Sequence, residues 1–513
     1  MIASRWNVLP LVLAITTLAP AAAAAQTVTP NVMVDSDSRP TRWYDVPSLA
    51  VSPGNPNALA LADVELQTGK CLTHLSLDGG RTWVNGGDPD SIGYSNCAMP
   101  NGNVFSTAIT TALAFDKQGT LYYAFTAARP QDGYSASLLL GRSKDGGKTF
   151  TTSVISLQPP QADAEKAMVD YTPAIAIDDS GDGPARVYVA FKRGYGDRSV
   201  KLGVGYLASS DDGGRTFHPP VRIPAHVRQA AVVVSKGNVV VPFGESTGKP
   251  APAPAHLYAA ISSDRGKTFT VKPIETLTKY YVSPLAAVNP TNGTIAIAFH
   301  EATLTQRGTA QDAVMVKTST DGGQTWGDSV AVSPIGQVAR DKNADQLFPM
   351  LSFAPSGRLD VAWYDYRNDP FAVPSTARTI YLGKAADVYL ASSTDDGKTF
   401  GPAVRVNDHP IDRQIGTWTA QYFVVPPPAI ASTDRGAFVA WSDTRNGNPD
   451  SQSQDIYFAQ ADSTGSTYAS GSASASGSFG SKALVAVVGA FLLGAGFCLI
   501  LVAFVLRSRR PAS

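Results

Sequence analysis

The sequence has no surplus of charge. Lys and Arg total 42 and Asp and Glu total 42, so the 513-residue chain is formally neutral. Without a net field to draw phosphates in, the composition argues against a nucleic-acid partner and against a polybasic protein that clings to membrane surfaces. Cysteine is scarce as well. Of three, Cys498 falls in an apolar run near the end of the chain, which leaves Cys71 and Cys97. In an oxidising compartment one disulfide is the expectation, two free thiols the alternative. The nearest approach to a metal loop, Asp178-Asp-Ser-Gly-Asp182-Gly183, lacks the acidic residue that a calcium loop carries at its twelfth position. It reads as a turn, and no metal or cofactor is expected.

Long hydrophobic runs are confined to the two ends. Arg5, the apolar stretch Val8 to Leu18 and the small residues Ala23-Ala24-Ala25 form a secretory leader over 1–25, with cleavage after Ala25. Near the other end, 483–506 holds 24 residues without a charge, about 36 Å as a helix, enough to span a bilayer. Arg507, Arg509 and Arg510 follow, so residues 507–513 are expected in the cytoplasm and the body of the chain outside it. A Ser, Gly, Ala and Thr stretch over 463–482 reads as a flexible stalk.

The whole chain holds 45 glycines and 36 prolines, as many short strands and tight turns require, and the region between these ends carries a repeating pattern. Ser-x-Asp-x-Gly-x-Thr-aromatic occurs six times: Ser76 to Trp83, Ser143 to Phe150, Ser210 to Phe217, Ser262 to Phe269, Ser319 to Trp326 and Ser393 to Phe400. Each copy is polar, carries glycine and separates two β-rich runs, which is the composition of a hairpin turn. Asp78, Asp145, Asp212, Asp264, Asp321 and Asp395 are expected to be structural, accepting amide hydrogens within their turns, with the aromatic tucked against its own blade. A catalytic or metal-binding set is the alternative, but one copy per repeat keeps six carboxylates apart.

These copies resemble the Asp boxes, or BNR repeats, of the sialidase-like β-propeller superfamily, and the resemblance covers essentially all of 26–462. Paired inner strands start near Pro47, Thr111, Pro173, Gln229, Pro284, Pro349 and Pro428, which predicts an all-β, seven-bladed propeller. The seventh unit stops after its third strand, Asp455 to Phe458. Asn31 to Asp35 resembles a fourth strand and is expected to close the ring.

Strand order puts the Ser-x-Asp turns on one side and the longer, variable loops on the other, and variable loops on a rigid scaffold are where ligands bind. The last aromatics of the second strands are Phe125, Phe191, Phe243, Phe299, Trp363 and Trp441, with Asp63 in the first unit. Two residues on, the side chain returns to the same strand face, and there stand Glu65, Ala127, Arg193, Glu245, Glu301, Asp365 and Asp443. Arg129, Arg367 and Arg445 lie two residues further. Either these line one polar mouth near the central channel, or each is paired where its strand leaves the core. Loops between repeats add His226, Arg228, Tyr280, Tyr281, Arg340, Asp341, Asp345, Asp408, His409, Asp412, Arg413 and Trp418, a mixture suited to sugars.

Three functions follow. The first is a surface glycosidase, with Arg193, Arg367 and Arg445 holding an acidic sugar and Glu245, Glu301, Asp365, Asp443, Tyr364 and Tyr366 as candidate catalytic groups. The resemblance implies three arginines, a Tyr–Glu nucleophile pair and an Asp acid/base, but two departures stand out. Tyr44-Asp45-Val46-Pro47 carries Asp where the family's inner-strand motif has its first arginine, and seven blades exceed the sialidase six. Val221-Arg222-Ile223-Pro224 matches the motif but falls in an outer strand. The second function is a non-catalytic module binding a glycan or an envelope protein, and the third a structural envelope protein.

Overall fold

The computed structural model describes residues 26–35, 38–97, 111–163, 165–195, 203–227, 230–245, 255–277, 284–304, 310–333, 345–370, 384–416 and 427–463. The expected leader, nearly all of the stalk, the apolar span and the basic tail lie outside them. Among the described residues no helix is long and apolar enough to cross a membrane.

Seven antiparallel sheets follow one another along the chain. Blades 1 to 6 occupy 44–85, 112–156, 168–227, 233–277, 285–331 and 346–405; blade 7 takes 429–462 together with Val32–Met33. First strands of successive blades lie against one another all the way round, blade 7 returning to blade 1, so the sheets form a closed ring. Two blades carry a fifth short strand, Ser95–Asn96 beside the second strand of blade 2 and Ile411–Asp412 beside the third strand of blade 6.

The second strands explain why the sheets stack. Leu121–Ala128, Leu359–Asp365 and Gly436–Asp443 are buried at every residue. A strand covered on both faces by neighbouring blades reads as a continuous apolar run rather than an alternating one. Phe125, Phe191, Phe243, Phe299, Trp363 and Trp441 are all without solvent exposure. Phe191 stacks on Tyr206 at 5.7 Å, Phe243 on Tyr258 at 5.7 Å and Trp363 on Tyr389 at 6.2 Å, each partner coming from the adjacent third strand. Burying one such ring contributes about 2–3 kcal/mol.

The six Ser-x-Asp turns share one hydrogen-bond pattern. In each, the Asp carboxylate accepts the Thr amide at 2.9–3.0 Å and the Thr hydroxyl at 2.5–2.7 Å. The Ser hydroxyl donates to the same carboxylate and accepts the amide of the second following glycine position. At that position Gly80 has φ +86°, and a Cβ there would lie 2.0 Å from the ring of Phe458, so only glycine fits. Trp83 tucks against its own turn, its indole N–H donating to Gly80 O at 3.1 Å, and reaches across the seam as well. It meets Phe458 of blade 7 edge-on at 5.2 Å, because closing the ring puts that strand directly beneath the turn.

Asn31 to Asp35 closes the ring as its pattern predicts. Val32 pairs with Phe458 and Met33 with Tyr457, and the Val34 amide donates to Ile456 O at 2.8 Å. Cys71 and Cys97 are bonded, their Cα atoms 5.2 Å apart, tying the third strand of blade 1 to the segment that leads into blade 2.

The hydroxyls of Ser143 and Thr149 and the Thr149 amide hold the Asp145 carboxyl well below the ordinary carboxylate range. A depressed carboxyl contributes stability that is present above about pH 4 and lost as pH falls toward its folded value. Asp145→Ala should therefore lower the urea midpoint at pH 7, by on the order of 1 kcal/mol per turn hydrogen bond before solvent screening. The gap from wild type should shrink as pH is taken from 5 to 2; a gap independent of pH would contradict this reading of the turns.

Candidate functional site

The inner strands reach the loop side of the ring through strained backbone. Val46, Thr172 and Phe348 have φ of 59°, 52° and 54°. Each precedes a proline, Pro47, Pro173 or Pro349, and each sits in a register break of its first strand, between Asp45 and Ser48, Tyr171 and Ala174, or Leu347 and Met350. Proline cannot donate to the ladder, so a bulge absorbs it. Positive φ at a β-branched or aromatic residue costs on the order of 1–3 kcal/mol and persists only where the surroundings hold it. Three such positions stand at equivalent places in three blades, where the first strands begin on the loop side.

On the adjacent second strands the aligned charged positions are answered locally. Asp365 accepts the Trp363 indole N–H at 2.8 Å, the Arg367 amide at 2.8 Å, and the Arg367 guanidinium through Nε at 2.9 Å and Nη2 at 2.6 Å. Asp443 repeats the arrangement with Trp441 at 2.8 Å and Arg445 at 2.9, 3.0 and 2.8 Å. Both guanidinium groups also lie over a third-strand tyrosine, Arg367 at 4.3 Å from Tyr389 and Arg445 at 4.0 Å from Tyr457. Arg445 reaches further, to Asp408 at 2.7 Å and Asn31 at 3.1 Å, and Asp408 in turn contacts His409.

Blade 3 inverts this pairing. Arg193 stands at the carboxylate position, and Asp170 of the first strand supplies the acid at 2.7 and 2.9 Å. Its guanidinium lies 4.4 Å over Tyr206. Arg129 pairs with Asp132 and covers Tyr94 at 4.5 Å. Glu65 accepts the amides of Gln67 and Thr68 at 3.1 and 3.0 Å, and so caps its own turn.

Glu245 and Glu301 differ from the rest. Glu245 is half-buried and raises the Tyr258 phenol, behind burial of the ring itself. Glu301 is half-buried and makes no hydrogen bond among the described residues. Burial, then the charge of Glu275, holds its carboxyl above the ordinary range, with Lys317 opposing. Tyr366 is buried with an unpartnered hydroxyl, its pKa pushed up to about 12 by burial, and Arg413 lies 5.2 Å over its ring.

One residue earlier in the second strands lies a set that the aligned-position argument passed over. Lys192 is buried 4.4 Å over the Tyr171 ring, and His300 is buried edge-on to Phe348 at 5.8 Å. Ser442 donates to Asp45 at 2.6 Å, and burial, then Asp45, raises the Tyr364 phenol well above 10. These side chains point to the opposite blade face, toward the inner-strand bulges. A polar residue interrupting an otherwise apolar strand at one shared position was the available signal.

Of the loop residues, Asp345 is buried and accepts the Asp312 amide at 2.9 Å, and Asp412 caps its own turn through the Gln414 amide at 2.8 Å. Arg228, Tyr280, Tyr281, Arg340, Asp341 and Trp418 lie outside the described residues, as does the side chain of His226. Arg222 falls in the outer strand Val221–Val227, as its position after a Ser-x-Asp turn implied. The calcium-like stretch is a turn in which Lys117 Nζ donates to the carbonyls of Asp179 and Gly181. Among the described residues no group of three or more His, Cys, Asp or Glu is placed to hold a metal ion.

No protein-family model and no curated protein matches the sequence. Solved structures of similar shape include the Hadza microbial sialidase Hz136, 14% identical over 80% of this chain and 74% of that one, with a TM-score of 0.41. The phage phi92 endosialidase is 11% identical over 88% and 72%, with a TM-score of 0.45. A Penicillium chrysogenum alpha-L-arabinanase complexed with arabinobiose is 17% identical over 66% and 94%, with a TM-score of 0.41. Identities and scores this low transfer no residue role to the present chain.

Asp443 is buried beneath Arg445, and removing one partner of a buried pair strands the other. Asp443→Ala should therefore cost about 3 kcal/mol or more in urea unfolding, far more than Asp408→Ala at the exposed end of the same network. Equal effects would show that the buried pair is not what holds this strand end.

Proposed function

We propose that the chain is an exported, membrane-tethered propeller that recognises glycans on its loop side without hydrolysing them. The observation that supports recognition over hydrolysis is the state of Asp365 and Asp443. Each already accepts four hydrogen bonds, two from an arginine side chain, one from an arginine amide and one from a tryptophan. A carboxylate so engaged has no lone pair free for a sugar proton or an anomeric carbon, which general acid, base and nucleophilic roles all require. Arg193, Arg367 and Arg445 are likewise committed to carboxylates within the chain.

What remains is a rigid mouth with polar and aromatic groups. Strained bulges fix Val46, Thr172 and Phe348 in place, and a preorganised surface loses little entropy on binding. Export rests on the leader over 1–25, and tethering on the span 483–506 followed by three arginines. Glu301 supports a second reading, an exo-glycosidase, because a half-buried carboxyl held above its ordinary range suits a general acid.

The test uses the purified full-length chain in mild detergent, with a glycan array and a panel of fluorogenic sialosides and neutral glycosides. Saturable glycan binding with turnover at the buffer rate is expected. Turnover abolished by Glu301→Gln would establish the hydrolytic reading instead, and binding to no glycan would leave a protein partner on the same face.

A further inference from the structure

Three carboxylates meet where the ring closes. Asp35 ends the closing segment, Asp63 lies on the second strand of blade 1, and Asp455 on the third strand of blade 7; none is more than 2% exposed. Asp455 is fully engaged. Arg42 donates to it at 2.6 and 3.0 Å and Asn446 at 2.8 Å. Asp35 acts as a length of backbone: its Oδ1 accepts the Ile456 amide at 2.8 Å, next to the Val34 amide bonding Ile456 O at 2.8 Å. Its Oδ2 is buried and has no hydrogen-bond partner.

Asp63 is in the same position on both oxygens. His74 Nε2 lies 3.1 Å from Asp63 Oδ2, but neither atom is oriented to make a hydrogen bond. The Tyr123 phenol, the remaining titratable group facing Asp63, donates instead to Leu72 O at 3.2 Å. Among the described residues the seam sets these three acids beside Arg42, which Asp455 engages, and Arg39, which reaches Tyr44 and Glu65 rather than Asp35 or Asp63. Like charges in one dry site cannot all ionise.

We propose that ring closure is proton-coupled: the seam between blades 7 and 1 closes around a neutral Asp35 carboxylic acid, and ionisation of that group loosens the closing strand. A proton on the carboxyl removes a buried charge, whereas the ionised form sets a bare charge beside Asp63 and Asp455. Burial first, then the charges of Asp455 and Asp63, push the carboxyl up to about 9, against an opposing bond from the Ile456 amide.

In the unfolded chain an aspartate ionises near pH 4. Between that value and about 9 the closed ring holds one more proton than the unfolded chain, so stability is lost as pH rises through the window. One proton is worth up to tenfold in the folding equilibrium per pH unit. Urea unfolding of the full-length chain, followed by tryptophan fluorescence from pH 5.5 to 8.5, should show this decline, and Asp35→Asn should remove it.

His74 stands 3.1 Å from Asp63, so His74→Gln is measured alongside. A decline that survives Asp35→Asn and disappears with His74→Gln overturns the proposal. Should Asp35→Asn not fold, Asp63→Asn decides. Without the facing charge the Asp35 carboxyl falls, and the decline should level off at a lower pH than in wild type. A decline running unchanged to the same pH would rule out the coupling.

Discussion

Closing the seventh sheet onto the first is the constraint on which the rest of this fold depends. An open stack of seven blades would leave one bare strand edge and two uncovered apolar faces. The chain meets the edge by lending Val32–Met33 from its beginning to a blade made near its end. That ladder is only two residues long, and it is lengthened on either side. Val28 bridges to Ala461, and Asp35 continues the ladder with its side chain. Closure also gives Phe458 its cover, since Gly80 and Trp83 of blade 1 press on it. With the ring shut, second strands such as Leu121–Ala128, Leu359–Asp365 and Gly436–Asp443 are buried at every residue, and six of the seven carry a fully buried aromatic.

Where those apolar strands end, the backbone turns into loops and a polar group must take over. Blades 6 and 7 solve this in the same way. Trp363-Tyr-Asp-Tyr-Arg-Asn368 and Trp441-Ser-Asp-Thr-Arg-Asn446 place indole, carboxylate, guanidinium and amide in one network, and each ends on a third-strand pair, Asp387 with Tyr389 or Asp455 with Tyr457. Blade 3 keeps the guanidinium over its tyrosine but draws the carboxylate from Asp170 on the first strand. The place of the charges is retained while the residues that supply them change. Such a requirement belongs to the strand end, and it separates these groups from the mouth, where Lys192, His300, Ser442 and Asp45 face the strained bulges.

Much of this was legible in the sequence. The six Ser-x-Asp copies carry their own hydrogen-bond pattern, and the count of inner pairs gave seven blades because each pair is a local hairpin. The closing strand could be found because Asn31 to Asp35 looks like a fourth strand without a blade. The pairing of Asp365 with Arg367 and of Asp443 with Arg445 was open, since a spacing of two fits either a shared site or a private salt bridge. Only the rotamers that lay each guanidinium over a tyrosine decide between them. The bulges at Val46, Thr172 and Phe348 were less visible still. Proline marks their position, but positive φ depends on the register of a neighbouring strand. The second contact of Trp83, with Phe458, was hidden for a related reason: contacts across the seam join residues about 375 positions apart.

The central claim is that the aligned charges are the internal ties of a scaffold, so that ligand recognition belongs to the mouth beside them. A double-mutant cycle at Asp443 and Arg445 tests it most directly, with unfolding free energies measured for the two single alanine variants and the double. Residues in one buried network couple by about 0.5–3 kcal/mol, and the pair should fall in the upper half of that range with glycan binding intact in the double variant. Additive losses, or binding that disappears with Arg445 while stability holds, would place these residues in the ligand site and contradict the account.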